Sequence, residues 1–103
     1  MREDFLTYYK DFLESWGFEA QAYMAIEEMS ELIKELSKKH RKRNDYKEED
    51  LVEEIADVLN MVEQLEYFVG EDKVEKVREE KIQRTVKRLA ELKQKQNKGE
   101  KNG

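Results

Sequence analysis

The sequence predicts an all-α fold, on three observations. Apolar residues recur at helical spacing along most of the 103-residue chain. Proline is absent and only four glycines occur, so little interrupts a helix. No stretch shows the strict alternation of a half-buried strand. The expected architecture is a helical bundle of three main helices plus a short N-terminal helix, in one domain over residues 1–93. Gln94 to Gly103 carries no apolar residue, which predicts a polar, disordered tail.

Each element follows from its pattern. Phe5, Leu6, Tyr9, Phe12 and Leu13 fall at i, i+3 and i+4 and predict the short first helix over residues 3–14. Ser15-Trp16-Gly17 interrupts it, with Gly17 as the stop. From Glu19 to Lys39, Ala22, Ala25, Ile26, Met29, Leu32, Ile33 and Leu36 form one stripe. Asn44-Asp45 marks a turn. Leu51, Val52, Ile55, Val58, Leu59, Val62, Leu65 and Val69 make the next stripe, which ends at Gly70. The last main helix starts near Asp72 and carries Val74, Val77, Ile82, Val86, Leu89 and Leu92.

Composition narrows the function. With no Cys and only His40 for imidazole, thiolate zinc sites, disulfides, cysteine nucleophiles and any triad or metal site that needs two imidazoles are excluded. The apolar runs are too short for a membrane span or a signal-peptide core, so no membrane association is expected and a cytoplasmic location is. Leu, Ile, Val and Phe number only 24, a thin core for one protomer, which predicts a homodimer or a tetramer.

The 25 acids outnumber the 20 basic residues, for a net charge of −5, and their placement is informative. Glu28 and Glu31 are three apart on one helix, and Glu54 and Asp57 are three apart on the next, so each pair shares a face. On a wheel of about 100° per residue, Glu28 and Glu31 lie about 60° and 120° from Ala25, at the border of the apolar stripe. Antiparallel packing of the two stripes would bring four carboxylates into one cleft, where repulsion and desolvation oppose their ionisation. One reading is a Mg²⁺ site, with Mn²⁺ as substitute, because both take all-oxygen ligation. The other is four solvated surface acids. The matching functional alternative is a non-catalytic helical interaction or structural protein.

The motif Glu27-Glu28-x-x-Glu31, 22 residues, then Glu54-x-x-Asp57 resembles the EExxE…ExxD signature of the all-α nucleoside triphosphate pyrophosphohydrolases. That superfamily includes MazG-like proteins, dimeric dUTPases and phosphoribosyl-ATP pyrophosphohydrolases. Trp16-Gly17-Phe18-Glu19-Ala20-Gln21, Ala25 to Leu32, and Lys81-Ile82-Gln83-Arg84-Thr85 are similar to small MazG-like proteins, so the likeness spans roughly residues 12–92. The resemblance implies hydrolysis of an NTP or dNTP to the monophosphate and pyrophosphate. It implies Mg²⁺ on Glu28, Glu31, Glu54 and Asp57, and a substrate site close to a subunit contact. Glu27, about 200° from Ala25 on the same wheel, points away from Glu28 and is either an acid behind the ligands that orients water or a solvated acid.

A triphosphate needs cations. The resemblance favours Lys81 and Arg84, which share a helix face with Arg88, as phosphate ligands. Lys38 falls close to Glu31 in angle and is a further candidate. Trp16 and Gln21 offer a flat wall and a hydrogen-bonding edge for the base, the alternative for Trp16 being a lid on the core. The run Lys38-Lys39-His40-Arg41-Lys42-Arg43 raises nucleic-acid contact as a question. The negative net charge and the preference of helix ends for cations argue for a solvated block instead, and nucleic-acid binding is not expected.

Overall fold

Two glycines punctuate the chain where the pattern breaks. Gly17 has φ 84° and ψ 159°, and Gly70 has φ 111°, values that a side chain with a Cβ adopts only at a cost. The computed structural model describes the backbone of residues 2–102 and the side chains of residues 2–98. Between and beyond these glycines it is helical: a 3-10 turn at Glu3–Phe5, then α1 (Leu6–His40), α2 (Glu48–Val69) and α3 (Glu71–Asn102). No strand occurs among the described residues. The all-α expectation of three main helices is met. Gly17 is the one non-helical residue inside α1, so it separates a short N-terminal arm from a long one.

The chain divides into two units, residues 1–70 and 71–103. The division falls at Gly70, where sequence reading placed the domain boundary at 93. In the first unit α1 and α2 pack against each other and run antiparallel. Phe18 stacks on Phe68 with ring centroids 4.2 Å apart, while Glu28 faces Asp57. Ala25, 2% exposed, removes side-chain bulk from the middle of this contact and permits close approach of the helices. The N-terminal arm is tied to α2 by Tyr9, whose hydroxyl donates to Glu63 Oε2, and by the Arg2 backbone N–H, which donates to Glu63 Oε1 at 3.2 Å. Burial, then Glu63, pushes the Tyr9 phenol well above its ordinary range.

α1 ends on Lys38, Lys39 and His40, cations that suit the negative end of the helix dipole. Lys42 then takes the left-handed conformation, φ 54°. The Arg43 N–H bonds back to the Lys38 carbonyl at 3.0 Å, the six-to-one closure of a Schellman turn. α2 opens on Glu48, Glu49 and Asp50, which suit its positive end.

The core is small and partly polar. Among the described apolar residues Tyr9, Ala25 and Met61 are buried, and Gln21, Glu35, Gln64 and Glu66 are buried with them. The apolar stripe read on α2 splits along its length. Leu51, Val58 and Leu65 lean inward, while Val52, Ile55, Leu59 and Val62 stay exposed.

α3 is one continuous helix of 32 residues. The disordered tail expected from residue 94 is corrected by a helical backbone that reaches Asn102. Its lysines, glutamines and glutamate are good helix formers, and adding residues to an existing helix avoids the cost of a new nucleus. Side chains from residue 99 onward lie outside the described residues. The apolar residues Val77, Ile82, Val86, Leu89 and Leu92 of α3 are all exposed.

Space does not restrict Gly17, since a Cβ there would meet nothing within 4 Å. Its backbone angles do. Gly17→Ala is expected to lower unfolding stability by about 1–2 kcal/mol, read as a shift of the urea midpoint. An unchanged or raised midpoint would show that the kink carries no strain for an L-residue.

Candidate functional site

Glu28 lies midway along the inner side of α1, and Glu54 and Asp57 lie three apart on the facing side of α2. One carboxylate oxygen from each falls within 4.8 Å of the other two, and all three side chains are half-buried. Of the four expected metal ligands, the structure brings these three together. Glu31 is exposed and lies outside the close set. Its wheel angle, about twice as far from the stripe as Glu28, carries it toward solvent. Glu31 nonetheless acts on Glu54 through its charge.

The electrostatics record the crowding. Burial raises the Glu28 carboxyl above its ordinary value, and Asp57 and Glu54 raise it further. Glu54 is raised by burial first, then by Asp57, Glu31, Glu53 and Glu35. Glu54 Oε2 is buried with no hydrogen-bond partner. An anionic cluster with an orphaned buried oxygen and only oxygen donors matches the demand of a hard divalent cation.

Glu27 is exposed, and its backbone carbonyl accepts from the Ser30 hydroxyl at 2.6 Å. Its charge contributes to the raised Glu28 carboxyl. Lys38 does not stand free for a phosphate, because its Nζ pairs with Glu35 Oε1 at 3.0 Å with both side chains largely covered. Glu35 was not singled out by sequence reading, yet it is buried and its Oε2 has no hydrogen-bond partner.

One helical turn beyond the carboxylates, about 6 Å along both helices, lies a cavity of about 310 Å³. Trp16 and Gln21, the two residues expected to meet a base, both line it. Its walls are Phe5, Tyr8, Phe12 and Met24, with Trp16 stacked on Phe12 at 5.4 Å between centroids. Asn60 and Gln64 of α2 add two carboxamides that sequence reading missed. A signal for them exists. Asn60 and Gln64 follow Asp57 at i+3 and i+7 and so continue its face of α2.

Lys81 and Arg84 belong to the second unit. They lie on one exposed face of α3 with Thr85 and Arg88, around a groove in which the Thr85 hydroxyl donates to the Lys81 carbonyl at 3.0 Å. In the basic run, His40 is exposed and the Arg43 guanidinium pairs with Asp45 at 2.9 Å. No helix of the described residues is long and apolar enough to cross a membrane.

The chain matches no protein-family model, no curated protein and no solved structure in comparisons with each.

The raised carboxyls carry a pH signature. Folded Glu28 and Glu54 hold a proton above 4.5, the ordinary glutamate value, so in that window the folded state binds more protons than the unfolded state. Their contribution to stability therefore falls as pH rises through the window. Millimolar Mg²⁺ should raise the melting temperature at pH 7, and the rise should shrink as the pH is lowered toward the ordinary glutamate range, where protons compete with the cation for Glu28 and Glu54. No rise at pH 7 would contradict the cluster as a cation site.

Proposed function

We propose that the protein is a Mg²⁺-dependent nucleoside triphosphate pyrophosphohydrolase, which converts an NTP or dNTP to the monophosphate and pyrophosphate. The observation that carries this reading is the convergence of Glu28, Glu54 and Asp57 from two helices. The aromatic and carboxamide cavity one turn away supports it, because a base seated there leaves its phosphates about one sugar's length away, at the carboxylates.

Hydrolysis at this position breaks the bond between the α-phosphorus and its bridging oxygen. Water supplies the new oxygen on the monophosphate, and pyrophosphate leaves. A bound divalent cation neutralises phosphate charge and lowers the pKa of bound water. Glu28, Glu54 and Asp57 would hold that cation between the helices. Glu31, exposed on α1, would serve as a fourth ligand or take up the proton that water loses. Glu27, facing outward, orients water or acts through Glu28. Trp16 and Gln21 position the base. Lys81 and Arg84 of the second unit form an exposed cationic face of α3, the phosphate ligands that the family resemblance favours. Lys38 acts through Glu35 and not on phosphate directly.

A homodimer or tetramer belongs to this reading. Val52, Ile55, Leu59 and Val62 form an exposed apolar row on α2, and Ile26 and Ile33 form another on α1. Contiguous apolar rows of this kind mark protein contacts. The row on α2 is also the specific observation in favour of the second reading, a helical interaction protein without catalysis.

Purified protein with Mg²⁺ and a panel of canonical, deoxy and modified triphosphates is expected to release pyrophosphate. Glu28→Gln and Asp57→Asn should each lower the rate by at least about a hundredfold, the scale of losing several kcal/mol of charge stabilisation. The same preparation should sediment as a dimer or tetramer at micromolar concentration. Silence across the panel would favour the non-catalytic reading, and a stable monomer would remove the oligomer from either.

A further inference from the structure

We propose that the exposed apolar face of α3 docks on α2 of a second copy of this chain, and that the second copy's α3 makes the same contact in return. Charge is divided along the sequence. Residues 1–70 carry 18 acids against nine basic residues, a net −9, while residues 71–103 carry 11 basic residues against seven acids, a net +4. Each part also shows an uncovered apolar row: Val52, Ile55, Leu59 and Val62 on α2, and Ile82, Val86, Leu89 and Leu92 on α3. Apolar centres rimmed by opposite charge are complementary surfaces.

The flanks of the two rows decide how they meet. On a wheel of about 100° per residue, Lys81, Arg88 and Lys95 lie about 80°, 100° and 120° to one side of Leu89. Glu49 and Glu53 lie about 80° and 120° from Leu59, on the opposite-handed side of their row. All five side chains are exposed. Two facing helices set opposite-handed flanks together when they run parallel, and turning one end for end swaps its flanks. Parallel packing of α3 on α2 therefore brings the three bases to the two acids. Self-pairing does the reverse. Antiparallel α3 helices would set these bases on their own copies, and antiparallel α2 helices the acids on theirs, and like charges so placed oppose association.

The parallel direction makes the partner a second chain. α2 ends at Val69 and α3 begins at Glu71, so Gly70 alone joins them. To run alongside α2 in the same direction, an α3 from the same chain would need a connection as long as α2, about 33 Å. Two peptide links reach about 7 Å. The α3 of another copy carries no such restriction. Exchange between two copies uses both rows of both chains and closes as a two-fold pair. Burial of the apolar centres supplies affinity, and the charged flanks fix direction and partner.

Sedimentation of the full-length protein and two charge-reversed variants tests this. Arg88→Glu with Lys95→Glu gives α3 an acidic flank, and Glu49→Lys with Glu53→Lys gives α2 a basic one. Each double variant, checked for an unchanged melting transition, should associate at least about tenfold more weakly than wild type, the scale of like charges set together. An equal mixture of the two should regain the dimer, because each α3 then meets opposite charge on the other chain's α2. Wild-type association should also weaken as NaCl rises from about 50 mM to about 500 mM, since salt screens exposed charge. Wild-type strength in the α2 variant alone would mean that α3 pairs with α3, and in the α3 variant alone that α2 pairs with α2. Either result overturns the inference, as does a mixture no stronger than its parts. Where a variant fails to fold, the salt series decides, and association indifferent to salt overturns it. A monomeric wild type overturns it as well, together with the proposed oligomer. The proposed hydrolysis assigns no role to these four residues, so pyrophosphate release stands or falls separately.

Discussion

Three carboxylates held against one another between α1 and α2 set the terms for the rest of this structure. Burial and the charge of neighbouring acids oppose the ionisation of Glu28 and Glu54, and Asp57 lies against both. A surface placement would relieve them at no cost in core packing, since glutamate and aspartate are ordinarily solvated. The helices instead hold them together. The kink at Gly17, the Tyr9 tether to Glu63 and the close contact at Ala25 fix a register that keeps the cluster closed. A cation between the helices would turn this repulsion into attraction and so clamp α1 to α2.

The polar seam extends beyond the cluster in both directions. Gln21, Glu28 and Glu35 are spaced by seven residues on α1, and Asp50, Asp57 and Gln64 by seven on α2. Seven residues is close to two helical turns, so each set lines one edge of its helix. Five of these six side chains are buried or sit inside the cluster, and Glu35 carries its own counter-charge in Lys38. A seam of buried amides and acids between two helices weakens a core that is already small. Such a seam suits a polar ligand, as the proposed function requires.

Much of this was legible in the sequence, and the failures have a common cause. Helix positions followed from apolar spacing, and both breaks fell at glycines whose backbone angles require them. The paired acids at i, i+3 led to Glu28, Glu54 and Asp57, and a lone aromatic in a helix break led to Trp16. A wheel drawn on one helix, however, does not contain the crossing register of two. That register sends Glu31 outward, covers Glu35, and splits the α2 stripe so that Val52, Ile55, Leu59 and Val62 remain exposed. Gln64 escaped notice because a glutamine beside an apolar stripe reads as its solvent border until a partner helix is known to cover it. The helical backbone past residue 93 was missed for a different reason, as polarity was read as disorder where residue propensities favour continuing the helix.

The direct test of the carboxylate cluster is where a paramagnetic ion settles. Substoichiometric Mn²⁺, added to isotope-labelled protein, should broaden backbone amide resonances around Glu28, Glu54 and Asp57 first, and excess Mg²⁺ should restore them. Broadening spread across exposed acids, such as Glu48 and Glu49 at the start of α2 or Glu79 and Glu80 on α3, would mean that no site exists between the helices and would contradict the central claim.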